Sequence, residues 1–380
     1  MRDTVIVSPG PVHVAPETWR DLPQLHHRSA EFRTIVRECE AALQELLGTS
    51  SPVYVLTSSG TGAMEAAVVN VTLPGSRVLV VSGGKFGRRW GEICEAYECR
   101  VSVMSFEGGA AIDVDAVVER IGRERPEFVA ITHVESSTGL LFPVGELASR
   151  LGAERPIVIV DAISSLGAEE LRMDEWGIDV AIGASQKSLA APPGASFAAV
   201  GKRALGLVGR RRAGAYYFDF GRARRAAAGG DTPFTPAIGT IQIMHRTLRG
   251  MREFGFERMI SRHRSAARAF LRAAKSLSLA SYSMNPSSAV QVLALPAGCA
   301  SERILASLAR NGFIAANGQD DLKGKVLRTG FLGLHGSATL GRLAAALGKG
   351  LCDCGIPVDV SAASAVIREA KLEDFSWNKA

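Results

Sequence analysis

Six short apolar runs recur along the first half of the chain: VYVLT at 53–57, VLVVS at 78–82, VSVMSF at 101–106, FVAIT at 128–132, IVIVD at 157–161 and VAIGA at 180–184. Each is nearly continuous in β-branched and aliphatic side chains instead of alternating with polar ones. That is the pattern of a strand covered on both faces. Most of the intervals between them are of helix length. Ahead of the first run, EFRTIVRECEAALQELLG sets Phe32, Ile35, Val36, Cys39, Leu43, Leu46 and Leu47 at three-and-four spacing, with Gly48 as a stop. Strand and helix patterns in alternation predict an α/β fold: a mainly parallel, doubly wound sheet, with ligands beyond the carboxyl ends of its strands.

The pattern changes after about residue 206. GRRRAGAYYFDFGRARRAAAGGDTPFTP, at 209–236, is rich in Arg, Gly and Pro and predicts an extended loop followed by a turn. Helical periods follow at 237–253 and 256–277, then an apolar run at 289–296, a helix near 301–311, a run at 326–333 and a helix near 338–352. This tail is long enough for a smaller C-terminal α+β domain. The expected division is a large domain over 15–250, a small domain over 251–360 that takes in the N-terminal segment 1–14, and a C-terminal extension over 361–380.

Composition narrows the class. Apolar residues make up 47% of the 380 and Gly is frequent without a strict period, which suits a soluble enzyme and excludes disordered or collagen-like chains. A net charge of +6 admits anionic ligands without demanding nucleic acid. The six cysteines are scattered with no CxxC pair, and His26, His27 and His133 lack a helical partner histidine, so neither disulfides nor a metal site is expected. The N-terminal apolar stretch is short and broken by Pro9, and no run reaches the length of a membrane span. The expected location is the cytoplasm.

The candidate chemistry gathers at the ends of the apolar runs. Lys187, in GASQKSLAAPPG, is a lone amine just past the 180–184 run. Burial there would lower its pKa and leave it partly neutral, as attack on a carbonyl requires; alone, such a lysine is usually a solvated loop residue. Asp161 ends the neighbouring run, where its carboxylate could hold a protonated ring nitrogen or cap a helix. SSGTG, after the first run, opens a helix: Gly60 and Gly62 permit a tight turn, while Ser59, Thr61 and the first helix amides point at an anion. Glu65 in place of the last Gly rules out a dinucleotide fingerprint, and a Gly-Lys-Ser/Thr ending is missing for a nucleotide-phosphate loop. Phe86 could stack on a planar ring or simply join the core. The hydroxyls of THVESSTG, at 132–139, could bond a phenolic oxygen or form a polar turn. A phosphate, an aromatic ring, a ring nitrogen and an aldehyde together describe pyridoxal 5'-phosphate.

The chain resembles class V aminotransferases of fold type I, in the branch of alanine:glyoxylate and serine:pyruvate aminotransferases. The resemblance runs in the family's order from SPGPVHV and HHRSAEF through SSGTGAMEAA, FGRRW, HVESSTG, VDAISSLGA, GASQKSLAAPPG and DTPFTP to VLRTGFLG. It implies an enzyme transferring an amino group from a small amino acid to a small 2-oxo acid. Lys187 would form the Schiff base (the internal aldimine) and later shuttle the proton, and Asp161 would pair with the pyridine nitrogen. Phe86 would stack where many relatives carry Trp or Tyr. Ser137 and Gln186 are implied near the ring hydroxyl and the phosphate end, and Gly60, Thr61 and Gly62 at the phosphate turn. Thr232 and Thr235 match residues that reach the cofactor phosphate of a neighbouring subunit, which implies a homodimer. Arg328 matches the residue that clamps the substrate α-carboxylate; as a lone Arg in a strand it would be a surface residue. Two features depart from the family pattern: Thr232 stands where some members carry tyrosine, and the 210–225 loop is unusually rich in Arg. A lyase, epimerase or decarboxylase of the same fold is the alternative activity, and a non-catalytic binding protein a more remote one. No nucleic-acid or membrane partner is expected.

Overall fold

The computed structural model describes residues 4–106, 108–152, 154–210, 215–333 and 335–375. The apolar runs become strands β1 (Val53–Leu56), β2 (Arg77–Ser82), β3 (Arg100–Ser105), β4 (Phe128–Thr132), β5 (Ile157–Asp161) and β6 (Val180–Ala184), joined by β7 (Ser196–Val200) in a seven-stranded sheet of order β1-β7-β6-β5-β4-β2-β3. All neighbours are parallel except β7, which runs antiparallel between β1 and β6. Helices α1 (Ala30–Leu47), α2 (Gly60–Val71) and α3 (Lys85–Ala96) cover the sheet, with α2 and α3 on the face opposite α1.

The continuous apolar runs follow from this burial. Val55, Leu79, Val81, Val129, Ile131, Val158 and Val160 pack toward α1 and the helix Ile238–Phe254. Their chain neighbours Leu56, Val80, Ala130, Ile159 and Ile182 pack toward Met64 of α2 and Trp90 of α3. Successive strand residues point to opposite faces, so a sheet buried twice leaves no polar position.

A second sheet follows, antiparallel throughout: β8 (Ala280–Ser281), β9 (Val290–Ala294), β10 (Ala316–Asn317) and β11 (Val326–Gly330), in the order β8-β9-β11-β10. Helices Phe256–Ser276, Ser301–Arg310 and Ser337–Asp353 pack on it through Phe270, Ile304, Leu308, Leu343 and Leu347. The N-terminal segment returns to this sheet's flank. Val5–Ile6 pairs in parallel with Phe313–Ile314, Val7 is buried in the same apolar cluster, and Gly330 N donates to Val7 O at 2.7 Å.

Three segments differ from the sequence expectation or extend it. The run SFAAV of β7 was not among the predicted strands: the loop 185–195 that carries Lys187 leads straight into it from β6, with no helix between. The Arg-rich stretch is not wholly an extended loop: Phe220–Ala227 is a helix whose first turn is capped by Asp219, which accepts from Arg222 N, while residues 211–214 lie outside the described residues. The stretch 360–369 is a helix capped by Asp359, and its Ala363 and Ile367 are buried in the second core.

Candidate active site

The carboxyl ends of β1, β2, β4, β5 and β6 converge on a cleft of about 200 Å³ lined by Ser59, Gly60, Thr61, Phe86, Arg89, Ser136, Asp161, Gln186 and Lys187, with Gly10 and Pro11 closing one side. Larger grooves exist elsewhere, among them one of about 450 Å³ around Arg28 and Arg222. Only this cleft gathers the residues singled out from the strand ends.

Lys187 sits in a loop that folds back on β6: Ala190 N donates to Lys187 O, Ala191 N to Ser185 O, and Ser185 N to Ala195 O. Its Nζ donates to Pro9 O at 2.7 Å. Gly10 lies against the same amine, at φ +129, and a Cβ there would come within 2.7 Å of Nζ. Only glycine fits both the backbone and the space. Burial pulls the Lys187 amine down to about 8; the charge of Asp161 opposes this and that of Arg328 adds to it.

Asp161 is 4% exposed and its Oδ1 accepts from Ile163 N at 2.8 Å. A turn follows it, so the carboxylate closes a local turn and caps no helix. Burial pushes its pKa up to about 7, and no ion pair among the described residues offsets the cost. A buried carboxylate in this condition is matched by a protonated ring nitrogen. Gln186 adds a second unmet group, since its Oε1 is buried with no partner. Ser59 stands at the N-cap of α2 without using its side chain there, leaving the hydroxyl and the first amides of the helix to face the cleft. Gly60 is required for closeness: a Cβ would meet Ile163 Cδ1 at 2.5 Å. These are the demands of a phosphorylated pyridine aldehyde, and the residues present fit it.

The remaining sequence candidates fall less simply. Gly62 packs behind the turn, where a Cβ would strike Ser58, and does not line the cleft. The Ser137 hydroxyl donates to Glu135 Oε1 at 2.6 Å and accepts from Lys85 N at 3.0 Å, while Ser136 faces the cleft. Arg328 is buried and does not itself line the cleft, but reaches the lining residue Ser136: Nε donates to Asn317 O at 2.7 Å and Nη1 to Ser136 O at 3.1 Å, so Nη2 is without a bond among the described residues. Thr232 and Thr235 lie away from the cleft. Thr232 lines the Arg28–Arg222 groove and donates to Phe234 O at 2.8 Å, and Thr235 is exposed. Sequence reasoning missed Arg89 and Ser136 as lining residues and Glu135 as their support. Arg89 had a signal, its position three residues after Phe86 on one helix face.

Among the described residues no three His, Cys, Asp or Glu side chains gather to hold a metal ion, and no helix is long and apolar enough to cross a membrane.

A doubly wound sheet whose strand ends present a buried lysine, an unpaired aspartate and an anion-seeking helix turn defines a fold type I, pyridoxal-phosphate-dependent enzyme. The family model Aminotransferase class-V matches residues 18–320, and the chain belongs to that family of aminotransferases. A soluble hydrogenase small subunit from Synechococcus sp. (strain PCC 6716) is 34% identical over 96% of this chain and 99% of the relative. L-aspartate–glyoxylate aminotransferase from Paracoccus denitrificans (strain Pd 1222) is 28% identical over 96% of this chain and 95% of the relative. The crystal structure of ureidoglycine–glyoxylate aminotransferase from Bacillus subtilis superposes with a TM-score of 0.90 at 26% identity, covering 97% of each chain.

Proposed function

We propose that this aminotransferase moves the amino group of a small amino acid, of the alanine or serine type, to a small 2-oxo acid such as glyoxylate or pyruvate, with Lys187 as the catalytic base. The observation that carries the reading is the buried Lys187 amine, lowered to about 8, sharing one cleft with the unpaired Asp161 carboxylate. Glyoxylate as acceptor is supported by the names of two relatives. The hydrogenase name belongs to the cyanobacterial relative, whereas a lysine and an aspartate in one cleft are the equipment of amino transfer.

When bound, pyridoxal phosphate supplies an aldehyde to receive the amine and a ring that draws electron density from the substrate α-carbon. The chain does the rest. Asp161 would hold the ring nitrogen protonated, Phe86 would lie against the ring, and Ser59, Gly60, Thr61 and Gln186 would hold the phosphate end. Ser136 offers its side chain at the place the resemblance gave to Ser137. Arg328 holds the α-carboxylate through its free Nη2, since a guanidinium fork suits two carboxylate oxygens. Lys187, partly neutral near pH 8, would take the proton from the substrate α-carbon and deliver it to the cofactor's former aldehyde carbon, on the far side of the amino nitrogen.

The same reading makes the working unit a homodimer, in which Thr232 and Thr235 serve the partner's cleft; that neither lines the cleft of its own chain supports this. It divides the chain into a large domain over 15–250, a small one over 251–360 with 1–14, and an extension over 361–380. The scattered cysteines, four of the six buried, support a reducing, cytoplasmic setting. The test is a single amino acid offered without an acceptor. Release of its 2-oxo acid should stop at one equivalent per site and resume when glyoxylate or pyruvate is added. Continued turnover with ammonia release would contradict the reading and mark a lyase.

A further inference from the structure

Arg89 is a cation without a counter-ion at the edge of the cleft. It is half-buried, lines the cleft wall, and donates from Nη1 to Thr61 Oγ1 at 3.1 Å. Its guanidinium carbon lies 4.8 Å from the centre of the Phe86 ring. Among the described residues it has no carboxylate partner, in contrast to Lys85 and Arg88 on the same helix, which both bind Asp320, at 3.0 and 2.9 Å. A guanidinium held against a hydroxyl and a ring, with no carboxylate bonded to it and the Asp161 charge acting on it only through space within the same cleft, is free to pair with an anion.

Its position is fixed from behind. Glu135 is 2% exposed, and its Oε2 accepts from Phe86 N at 3.0 Å and Gly87 N at 2.8 Å; Ser137 Oγ accepts from Lys85 N at 3.0 Å. The first three amides of α3 are thereby captured, although its N-cap, Gly84, has no side chain to offer. A Cβ at Gly84 would collide with Ser137 Oγ. The turn that carries Phe86 and Arg89 is thus clamped to the loop after β4, and Arg89 is aimed along the wall toward the start of α2.

We infer that Arg89 is a further cofactor-binding residue, pairing with the phosphate monoester dianion seated at the α2 turn. The inference rests on the proposed phosphate seat at Ser59–Thr61. A guanidinium paired with phosphate makes charge-assisted bonds, and losing one costs about tenfold or more in affinity.

The test titrates apoprotein with pyridoxal phosphate and, separately, with pyridoxal, which lacks the phosphate. For Arg89→Ala the expected result is an affinity for pyridoxal phosphate lower by about tenfold or more and an unchanged affinity for pyridoxal, so that the preference between them collapses. Arg89→Lys, which keeps the charge and most of the stem, should retain part of that preference. Equal losses for both ligands, or no loss for either, would overturn the inference. Ser59→Ala separates this from failure of the seat itself. A preference reduced by Ser59→Ala and untouched by Arg89→Ala rejects Arg89 alone; a preference untouched by both rejects the seat and the inference with it.

Discussion

Two carboxylates of this chain meet opposite fates. Asp231 lies beside the Arg28–Arg222 groove and is held by Arg28 at 2.8 Å and Arg33 at 3.1 Å. Burial pushes its pKa up, but the bond and charge of Arg28, the charge of Arg33 and a bond from the Thr232 backbone together outweigh burial and keep it below the usual carboxylate range. Asp161, deeper in the protein, has one backbone N–H and no cation bonded to it, and burial lifts it to about 7. Asp231 finds its cations within the chain. The cleft leaves the Asp161 carboxylate without a bonded cation, the Gln186 amide oxygen without a partner and the Lys187 amine on one backbone carbonyl among the described residues. Protein interiors rarely leave such groups unmet, and where several converge they report the chemistry of what binds there.

The sharpest way to break the comparison is Asp161→Asn. An amide cannot hold a protonated ring nitrogen by charge, and kcat should fall by about a hundredfold or more. A loss below about threefold would show that Asp161 is a structural residue like Asp231. Arg328→Ala comes next, with an expected rise in KM for the amino acid of about tenfold or more and a smaller change in kcat. An unchanged KM would remove Arg328 from the substrate. Gly10→Ala should weaken cofactor uptake, because the new Cβ would lie 2.7 Å from Lys187 Nζ at a backbone angle of +129°. The expected strain is about 1–3 kcal/mol, and normal uptake would show that the N-terminal segment yields freely.

The smallest effect is in pH dependence, and its sign differs between the two aspartates. In cofactor-free protein the Asp161 pKa is raised to about 7, so the folded state binds its proton more tightly than the unfolded chain does. Stability from this group is therefore full below the usual carboxylate pKa of about 4 and declines as pH climbs toward about 7. Asp231 is depressed, so its contribution is present above the usual value and is lost as pH falls. Denaturation of the apoprotein across pH should show the decline from pH 4 to 7 vanish in Asp161→Asn and persist in Asp231→Asn. The reverse pattern would contradict the assignment.

The large sheet was legible because most of its strands are buried on both faces, and such burial writes a run of apolar residues; β3, expected to be covered likewise, is instead a partly exposed edge strand. β7 was not, because a short antiparallel strand inserted next to the Lys187 loop has no helix before it to set it apart. Helix Phe220–Ala227 hid behind three arginines and a glycine, although Asp219 at its cap was in view. In the cleft, Lys187, Asp161, Phe86, Gly60 and Thr61 could be read from their places at strand ends, since a parallel sheet delivers such residues to one edge, whereas Gln186 came only from the resemblance. Ser136 and Ser137 could not be told apart, because a tight turn decides which hydroxyl faces inward and Glu135 captures the other. Arg89 was missed because an arginine's partner is a matter of three-dimensional neighbours, and a missing partner leaves no mark in the sequence.

The most direct test is chemical. Purified protein loaded with pyridoxal phosphate, reduced with borohydride and digested, should yield one peptide carrying the cofactor, with the added mass on Lys187 and on no other lysine. Cofactor bound at full occupancy with Lys187 unmodified would contradict the account.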